Sequence, residues 1–335
     1  MWQVANKTDY AAERNWVRDK HGAHHWIVAV KQTFDIGLDG KLMLAEEQPP
    51  PLFAPEYSGE DGASSLRGES DLGPLKPATD VLYVGHAHAP GDKPVPELPV
   101  SLRFADVKKT LLVRGESVLY SGVSGLTTTV PRPFVRVPIC YERAYGGVDR
   151  SDSDPARHRM YARNPLGVGF AVRPSTLERT PAPQVVFPGE PFDAGPAGFG
   201  PIAGPWAPRA AFAGTYDATW INERRPLLPL DYDERFELCA PDDQRSRFGY
   251  LKAGTKVEAV HLSRRRVLAF EIPQARLRFT TEFGSTRRRS PSVLSTVLIN
   301  GDEERVSLVW QTSVPVKPSQ VDYLDRTLVE EERGA

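Results

Sequence analysis

The sequence predicts a mainly β fold: an antiparallel sandwich or barrel-like scaffold with a large loop-rich middle lobe and little helix. Three observations support this prediction. Short β-branched and aromatic segments alternate with turn residues over residues 1–145 and again over 250–335. Between them, over 146–249, Pro, Gly and aromatic residues crowd together and hydrophobic periodicity largely disappears. Apolar residues at helical spacing are rare.

The N-terminal lobe, residues 1–145, is predicted to consist of strands joined by tight turns. Its clearest strand is 26–34, and Asp39-Gly40 then leads into 42–44 as a hairpin. A less regular helical pattern covers residues 9–20. Further strands are predicted at 80–88, 100–104, 110–113, 117–120 and 134–141.

The middle lobe, residues 146–249, is predicted to be ordered although it has few regular elements. Its densest Pro and Gly stretch is 196–202. Long irregular segments within a compact domain often carry function, and the aromatic content indicates that this one is packed rather than disordered.

The C-terminal lobe, residues 250–335, returns to β hairpins and is predicted to pack with the N-terminal lobe as one module. Asn300-Gly301 has the composition of a hairpin turn. A terminal helix is predicted over 321–331, where Ser319 can cap and Val321, Leu324 and Leu328 have helical spacing. Strands are predicted at 256–262, 266–272, 276–281, 293–299 and 305–310.

Charge and cysteine content narrow the function classes. The 42 Lys and Arg against 43 Asp and Glu give a net charge of −1, which argues against a nucleic-acid partner. Cys140 and Cys239 are too few for a disulfide framework and indicate a reducing compartment. Because neither a signal-peptide pattern nor a long apolar run is found, we expect a cytoplasmic protein without a membrane partner.

The strongest metal-like pattern is His86-Ala87-His88, because alternate residues of a strand face the same side. Two imidazoles are too few for a zinc site, and a third ligand from His24, His25 or Asp80 is not placed by the sequence. We therefore favour a structural or surface role and predict no metal or other cofactor. Neither cysteine has a partner at zinc-finger spacing, so both are predicted to be buried core thiols.

Acidic residues offer a second catalytic hypothesis. Asp231 and Asp233 are spaced as a pair, and Glu142 or Asp217 could join a hydrolytic site. Loop acids, or a salt bridge with Arg235, are the simpler interpretation. Because no nucleophile elbow, P-loop or dinucleotide fingerprint is found, we predict that the protein is not an enzyme.

Two basic triplets, Arg264–Arg266 and Arg287–Arg289, are interpreted as turn or edge-strand charges that block edge-to-edge pairing rather than as an anion-binding patch.

Rigid motifs that combine aromatic residues with arginine fill the middle of the chain, at 138–147, 164–170, 206–209, 214–220 and 229–236. Tyr, Trp and Arg are enriched at the hot spots of protein interfaces, although the same residues also pack a loop-rich lobe. Both interpretations stay open for each residue. The candidate partner-binding residues are Arg143, Tyr145, Asn164, Arg209, Tyr216, Asp217 and Trp220.

Taken in order, the motifs of this chain resemble a domain-of-unknown-function family of effector adaptors, or chaperones, of bacterial type VI secretion. The resemblance covers most of the chain, and its middle part consists of the motifs given above. One departure lies at 182–186, where the family tends to have Asn and Glu and this chain has Gln184 and Val186. A second is the acidic end, 322–332. The remaining matching segments are 6–8, Gly22, Trp26, 31–34, 40–42, 65–67, 70–72, 76–81, 85–90, 113–116 and 240–244.

The resemblance implies a cytoplasmic, non-enzymatic protein that binds a secreted toxin effector and helps mount it on the spike of VgrG and PAAR proteins. Sheet edges and irregular loops would then cover apolar surface of the effector. Two alternatives remain: a metal- or carboxylate-dependent hydrolase, and a sugar-binding β module in which Trp206 and Trp220 stack on rings.

Overall fold

The structure is a computed structural model that describes residues 2–122 and 125–332, and it confirms the mainly β fold class. Several sheets are present, and none of them closes into a barrel within these residues. The strands up to residue 146 are β1 Gln3–Asn6, β2 Ala11–Arg18, β3 His24–Ile36, β4 Leu42–Leu44, β5 Glu56–Tyr57, β6 Leu66–Gly68, β7 Asp80–Val84, β8 His86–His88, β9 Glu97–Phe104, β10 Val107–Arg114, β11 Leu119–Gly122, β12 Gly125–Thr128, β13 Arg136–Pro138 and β14 Tyr145–Gly146.

Between residues 145 and 186 the strands are only two residues long, and short helices lie in this part of the chain and after it. The later strands are β15 Val148–Asp149, β16 Arg159–Met160, β17 Val168–Gly169, β18 Val185–Val186, β19 Lys256–Val260, β20 Val267–Glu271, β21 Leu277–Phe283, β22 Thr286–Ser290, β23 Val293–Asn300, β24 Arg305–Val316 and β25 Leu324–Glu331. The α-helices are α1 Ala207–Ala210 and α2 Ala218–Glu223. Short 3-10 helices are Pro90–Asp92, Tyr141–Arg143, Pro155–Arg157, Pro174–Leu177, Glu234–Glu237, Asp242–Gln244 and Pro318–Tyr323.

A six-stranded sheet joins the two ends of the chain. Its order is β2-β3-β24-β23-β7, with β4 paired to β3. The antiparallel β3 and β24 pair along the whole of β24, from Asp35 opposite Arg305 to His24 opposite Val316. Strand β7 is parallel to β23. N-terminal and C-terminal strands therefore share one sheet.

One face of this sheet contributes to two hydrophobic cores. Val306 and Leu308, at the start of β24, pack in a core with Leu102 of a five-stranded antiparallel sheet, β18-β10-β9-β19-β20. Val314, further along the same face of β24, packs with Phe279 of a four-stranded sheet, β1-β25-β21-β22. The alternation of side chains along a strand places all these residues on one side.

The opposite face of the six-stranded sheet carries buried charges. Lys31 Nζ lies 3.5 Å from an Asp71 carboxylate oxygen, and Lys76 Nζ lies 2.8 Å from an Asp80 carboxylate oxygen. Asp80 also accepts hydrogen bonds of 3.0 Å from the backbone N–H groups of Cys239 and Ala240. Since buried ions need partners, these contacts fix the segments that cover the sheet.

Both predicted helices were wrong. Residues 9–20 contain strand β2, which pairs with β3 along eight positions. Residues 321–331 end a 3-10 helix and then form strand β25, which lies between β1 and β21. In β25, Thr327 and Val329 are buried at alternate positions, and this two-residue period competes with the helical spacing of Val321, Leu324 and Leu328. Hydrogen-bonded pairing on both edges of β25 selects the strand over the helix.

The predicted hairpins were confirmed. Strands β3 and β4 pair around the Asp39-Gly40 turn, and β23 and β24 pair around a loop that begins after Asn300. The predicted strand at 80–88 divides into β7 and β8 at Gly85, whose φ is +138°. Arg287–Arg289 lie on β22, an edge strand, and Arg264–Arg266 lie in the connection from β19 to β20, as predicted.

In the described parts of the chain, no helix has both the length and the apolar character needed to cross a bilayer. The lobe boundaries at 145/146 and 249/250 stay predictions.

Candidate functional site

Asn164 joins two motifs of the middle segment into one unit. Its side-chain amide donates hydrogen bonds to the carbonyl oxygens of Tyr141, at 2.8 Å, and Tyr145, at 3.0 Å. Its side-chain oxygen accepts a bond of 3.2 Å from the N–H of Leu166. Gly146 fits here because a Cβ would lie 2.2 Å from the Asn164 carbonyl oxygen. Asn164 is fully buried, so it positions its neighbours and offers no contact surface.

Glu142 anchors a third motif to the same unit. Its carboxylate oxygens accept bonds of 2.7 Å from the Ser65 N–H and 2.5 Å from the Ser65 hydroxyl. Burial raises the pKa of Glu142, but the hydrogen bonds from Ser65 outweigh burial and hold that pKa below its ordinary value. This carboxylate is therefore occupied by a structural contact.

We define the Arg143 groove as a surface cavity of about 520 Å³ beside hairpin β11–β12. Its base is made of the buried residues Ser117, Ala182 and Gln184. Arg143 donates a hydrogen bond to the Gln184 side-chain oxygen, and Gln184 in turn donates a bond of 3.1 Å to the Arg114 carbonyl oxygen. Gln184, at the position of a sequence departure, is thus part of the groove. The remaining lining residues are Glu116, Val118, Thr129, Val130, Arg132 and Pro181.

We define the Tyr145 cleft as a second cavity of about 520 Å³, lined by Leu126–Thr128 of the same hairpin. The Tyr145 ring packs edge-to-face on Tyr161, with centroids 5.0 Å apart, and on Phe192, at 6.3 Å. Burial and the nearby Asp193 carboxylate raise the pKa of Tyr145. Other lining residues are Arg114, Gly125, Gly169, Ala171, Pro174, Leu177, Glu190, Pro191 and Asp193. An aromatic wall and two acids characterise this cleft.

Hairpin β11–β12 borders both cavities, since Val118 and Thr129, next to its strands, line the groove and Leu126–Thr128 line the cleft. Val118 and Tyr120 are large apolar side chains exposed on the hairpin. Residues 123 and 124 lie outside the described residues. The hairpin and its two cavities form one continuous candidate surface for a partner.

The other predicted site residues lie in a second group around α1 and α2. Arg209 is only 3% exposed; it forms an ion pair of 2.5 Å with Glu69 and a bond of 2.8 Å with the Ile202 carbonyl oxygen. Asp217 caps α2 by accepting a bond of 2.8 Å from the Trp220 N–H. Tyr216 is 51% exposed and packs edge-to-face on Trp220, with centroids 4.7 Å apart.

Helix α1 of this second group contacts the Asn164 unit, since the Ala207 N–H donates a bond of 2.8 Å to the Ala162 carbonyl oxygen, whereas α2 packs against a different part of the scaffold. Arg224, at the end of α2, donates to the Lys20 carbonyl oxygen, and Lys20 donates a bond of 2.9 Å to the Tyr232 carbonyl oxygen. Arg143 and Tyr145 instead line the groove and the cleft beside β10 and β18, and Asn164 is bonded to the Tyr145 carbonyl oxygen. The seven candidate residues therefore fall in two groups rather than one site.

His86 and His88 share a carboxylate that the sequence analysis did not find. Asp302 lies 2.7 Å from His86 Nδ1, 3.2 Å from His88 Nε2 and 2.9 Å from the Arg136 guanidinium. Burial raises the pKa of Asp302, but the hydrogen bonds with the two histidines hold it below its ordinary value. The Asn300-Gly301 turn is the sequence signal that could have located Asp302, because Asp302 follows this turn and lies near the start of β8.

These residues do not form a metal site in the described structure. Within residues 2–122 and 125–332, no group of three or more His, Cys, Asp or Glu has an arrangement that could hold a metal ion. Cys239 is fully buried, as predicted, whereas Cys140 is only partly buried. Burial raises the pKa of the Cys140 thiol to about 12, so the thiolate is disfavoured.

Asp231 and Asp233 each serve a local turn. Asp231 accepts bonds of 3.0 Å and 2.7 Å from the backbone and hydroxyl of Thr215. Asp233 pairs with Arg235 at 2.6 Å, and this hydrogen-bonded contact lowers the pKa of Asp233 to about 2. The salt bridge that the sequence favoured is confirmed. Trp206 is not an exposed ring that could stack on a sugar. It is buried and packs edge-to-face on Tyr141, with ring centroids 5.2 Å apart.

The fold and the site define a bacterial β-rich protein with two surface cavities that border one hairpin. Residues 21–311 match the DUF2169 family, described as uncharacterized proteins conserved in bacteria, and the chain belongs to this family. No curated protein and no solved structure matches the chain significantly.

Proposed function

We propose that this protein is a cytoplasmic adaptor of type VI secretion that binds a toxin effector and helps load it on the VgrG and PAAR spike. The proposal comes from the ordered motifs of the sequence. The structural observation that supports it best is the pair of cavities beside hairpin β11–β12, because the motifs around Arg143 and Tyr145 line both of them.

The chemistry of this surface suits protein binding. Tyr145 and Phe192 offer aromatic area in the cleft, and Val118 and Tyr120 are exposed on the hairpin that borders both cavities. Aromatic and arginine side chains that are held rigidly lose little conformational entropy when a partner binds. The Asn164 hydrogen bonds supply this rigidity.

The carboxylates that a hydrolase would need are committed to turns. Glu142 holds Ser65, Asp217 caps α2, and Asp231 holds Thr215. Because these carboxylates already accept hydrogen bonds within the protein, we propose a binding role rather than a catalytic one. By mass action, an adaptor that binds the folded effector keeps it in a state competent for loading.

The experiment is an affinity pull-down of the tagged protein from its native cytoplasm, followed by a moderate salt wash and mass spectrometry. Recovery of a toxin that contains a PAAR or VgrG segment is the expected result. Tyr145→Ala is expected to reduce recovery. Tyr323→Ala is the control, because Tyr323 is exposed, lines neither cavity and lies beside β21, where its carbonyl oxygen accepts a bond of 2.8 Å from the Gly284 N–H. An empty pull-down from cells that express the secretion machinery contradicts the adaptor function.

A further inference from the structure

Arg143 is a half-buried cation without an acidic partner. Its only side-chain hydrogen bond within the described residues goes to the neutral amide oxygen of Gln184, and it forms no ion pair there. Two other half-buried arginines, Arg114 and Arg265, differ. Arg114 lies 3.0 Å from the Glu97 carboxylate, and Arg265 lies 2.5 Å from that of Glu304. A cation removed from water is stabilised by an anion. The Arg143 guanidinium in this groove has no such anion within the described residues.

A second polar group in the same groove also lacks a partner. Ser117 is 9% exposed, and its hydroxyl oxygen is buried without a hydrogen bond in the described structure. Ser117 and Arg143 both line the groove. A buried hydroxyl without a partner destabilises the protein unless water or a ligand supplies one. The hydroxyl donates one bond, and the guanidinium donates several in a planar fork.

We infer that the Arg143 groove binds the side-chain carboxylate of an Asp or Glu in an extended segment of the partner polypeptide. The two carboxylate oxygens accept bonds from the guanidinium fork, and from the Ser117 hydroxyl once the serine side chain rotates toward the groove. The other two charged residues of the groove, Arg132 and Glu116, form an ion pair of 4.0 Å with each other, so the one net positive charge of the lining belongs to Arg143. This inference deepens the proposed adaptor function and rests on it.

The walls of the groove indicate what flanks the acidic residue. Val130 is 87% exposed and Val118 is 39% exposed, and both line the groove beside the charged group. Apolar side chains next to the acidic residue cover these valines and remove their surface from water. The recognised segment is therefore one acidic residue between apolar residues, in the extended conformation that a groove beside a hairpin accommodates.

The test uses two blocked peptides and the full-length protein labelled with ¹⁵N-arginine. The probes are acetyl-Ala-Val-Glu-Val-Ala-amide and the same peptide with Gln in place of Glu. The Arg143 Nε–H resonance, assigned with the Arg143→Gln variant, is followed during titration. The Glu peptide is expected to shift this resonance to saturation and to bind at least tenfold more tightly than the Gln peptide, because the charged hydrogen bonds are lost in the latter.

Three variants identify the binding groups. Arg143→Gln keeps a side chain that can bond Gln184 and is expected to abolish the preference for the Glu peptide. Ser117→Ala is expected to weaken the Glu peptide severalfold, and an unchanged affinity removes Ser117 from the site. Arg264→Gln makes the same charge change at an exposed turn and is expected to bind as the wild type. Urea unfolding of each variant verifies that it folds.

Four results overturn the inference: no shift with millimolar Glu peptide, equal affinity for both peptides, an undiminished preference in Arg143→Gln, or strong binding of a Gln peptide with a free C-terminal carboxylate. The last would identify a chain terminus as the ligand. The adaptor function fails separately, if the wild-type pull-down is empty. If the toxin is recovered equally with wild type and Arg143→Gln, the adaptor function stands and the groove is not its docking site.

Discussion

Lys76 Nζ lies 2.8 Å from a carboxylate oxygen of Asp80, and both side chains are buried beneath the segments that cover the six-stranded sheet. Burial lowers the pKa of Lys76, but the nearby charge of Asp80 outweighs burial and raises that pKa above its ordinary value, so the ammonium stays charged. The ammonium also donates a bond of 2.9 Å to the Thr296 hydroxyl. This ion pair connects the covering segment to two sheet strands, β7 and β23.

Removing Lys76 leaves a buried, uncompensated carboxylate. We expect Lys76→Met to lower the free energy of unfolding by about 3–5 kcal/mol, as for other buried ion pairs that lose one partner. Urea denaturation measures the change. Lys41→Met is the matched control, because Lys41 pairs with Asp39 on the surface and its loss should leave the midpoint unchanged. A Lys76→Met protein as stable as wild type would contradict the role of the pair.

The contribution of Asp80 depends on pH. Burial raises its pKa, but Lys76 and the N–H groups of Cys239 and Ala240 outweigh burial, so the pKa lies below the ordinary 3.8. A depressed carboxyl pKa gives stability that is complete above the unfolded-state pKa and is lost as pH falls through the folded-state pKa.

We therefore expect the stability difference between wild type and Asp80→Asn to be constant from neutral pH to about pH 5 and to shrink below about pH 4. Urea titrations at a series of pH values measure it. A difference that already shrinks near neutral pH would show that another group is responsible.

Asn164 must donate two hydrogen bonds, not merely fill space. Asn164→Ala leaves the buried carbonyl oxygens of Tyr141 and Tyr145 without a donor and is expected to cost about 2–4 kcal/mol of unfolding free energy. Asn164→Asp is expected to be at least as damaging, because a carboxylate accepts but cannot donate to a carbonyl. Thermal and urea unfolding test both variants. Wild-type stability of Asn164→Asp would exclude this explanation.

The second group of candidate residues is tested at Tyr216. This ring is exposed and contacts Trp220, so Tyr216→Ala should change the unfolding free energy by only about 0.5 kcal/mol. If the group is part of the partner interface, the affinity for the recovered partner should fall at least tenfold, as for aromatic hot spots. Calorimetry with the purified partner measures this, and Tyr323→Ala is the control. Equal affinities would restrict binding to the surface around hairpin β11–β12.

The sequence predicted the strands and hairpins well where local signals are strong. The run 26–34 and the Asn300-Gly301 turn led to correct elements, because β-branched residues and turn residues act locally. The errors at β2 and β25 have one cause. Their pattern of apolar residues fits two periods, and only the pairing with other strands, β3 for β2 and β1 and β21 for β25, selects the extended one.

The candidate site was less accessible from sequence. Aromatic and arginine content marked Arg143 and Tyr145, but nothing local indicates that Asn164 and Arg209 are buried while Tyr216 is exposed. Asp302 was missed because it is separated from His86 by 216 residues. Ser117 carries no signal by itself, since its position at the base of a cavity depends on the chain around 180–184.

The pairing of β3 with β24 has a consequence for synthesis on the ribosome. Asp35 meets Arg305 across 270 positions of chain, so β3 emerges long before its main partner exists. At about 5–20 residues per second this delay is roughly 15–55 s. During that time, the backbone N–H and C=O groups on this edge of β3 have no partner and can pair with a wrong strand. We expect the nascent chain to depend on holding chaperones until the last strands are made, and to be released for assembly only as a complete polypeptide.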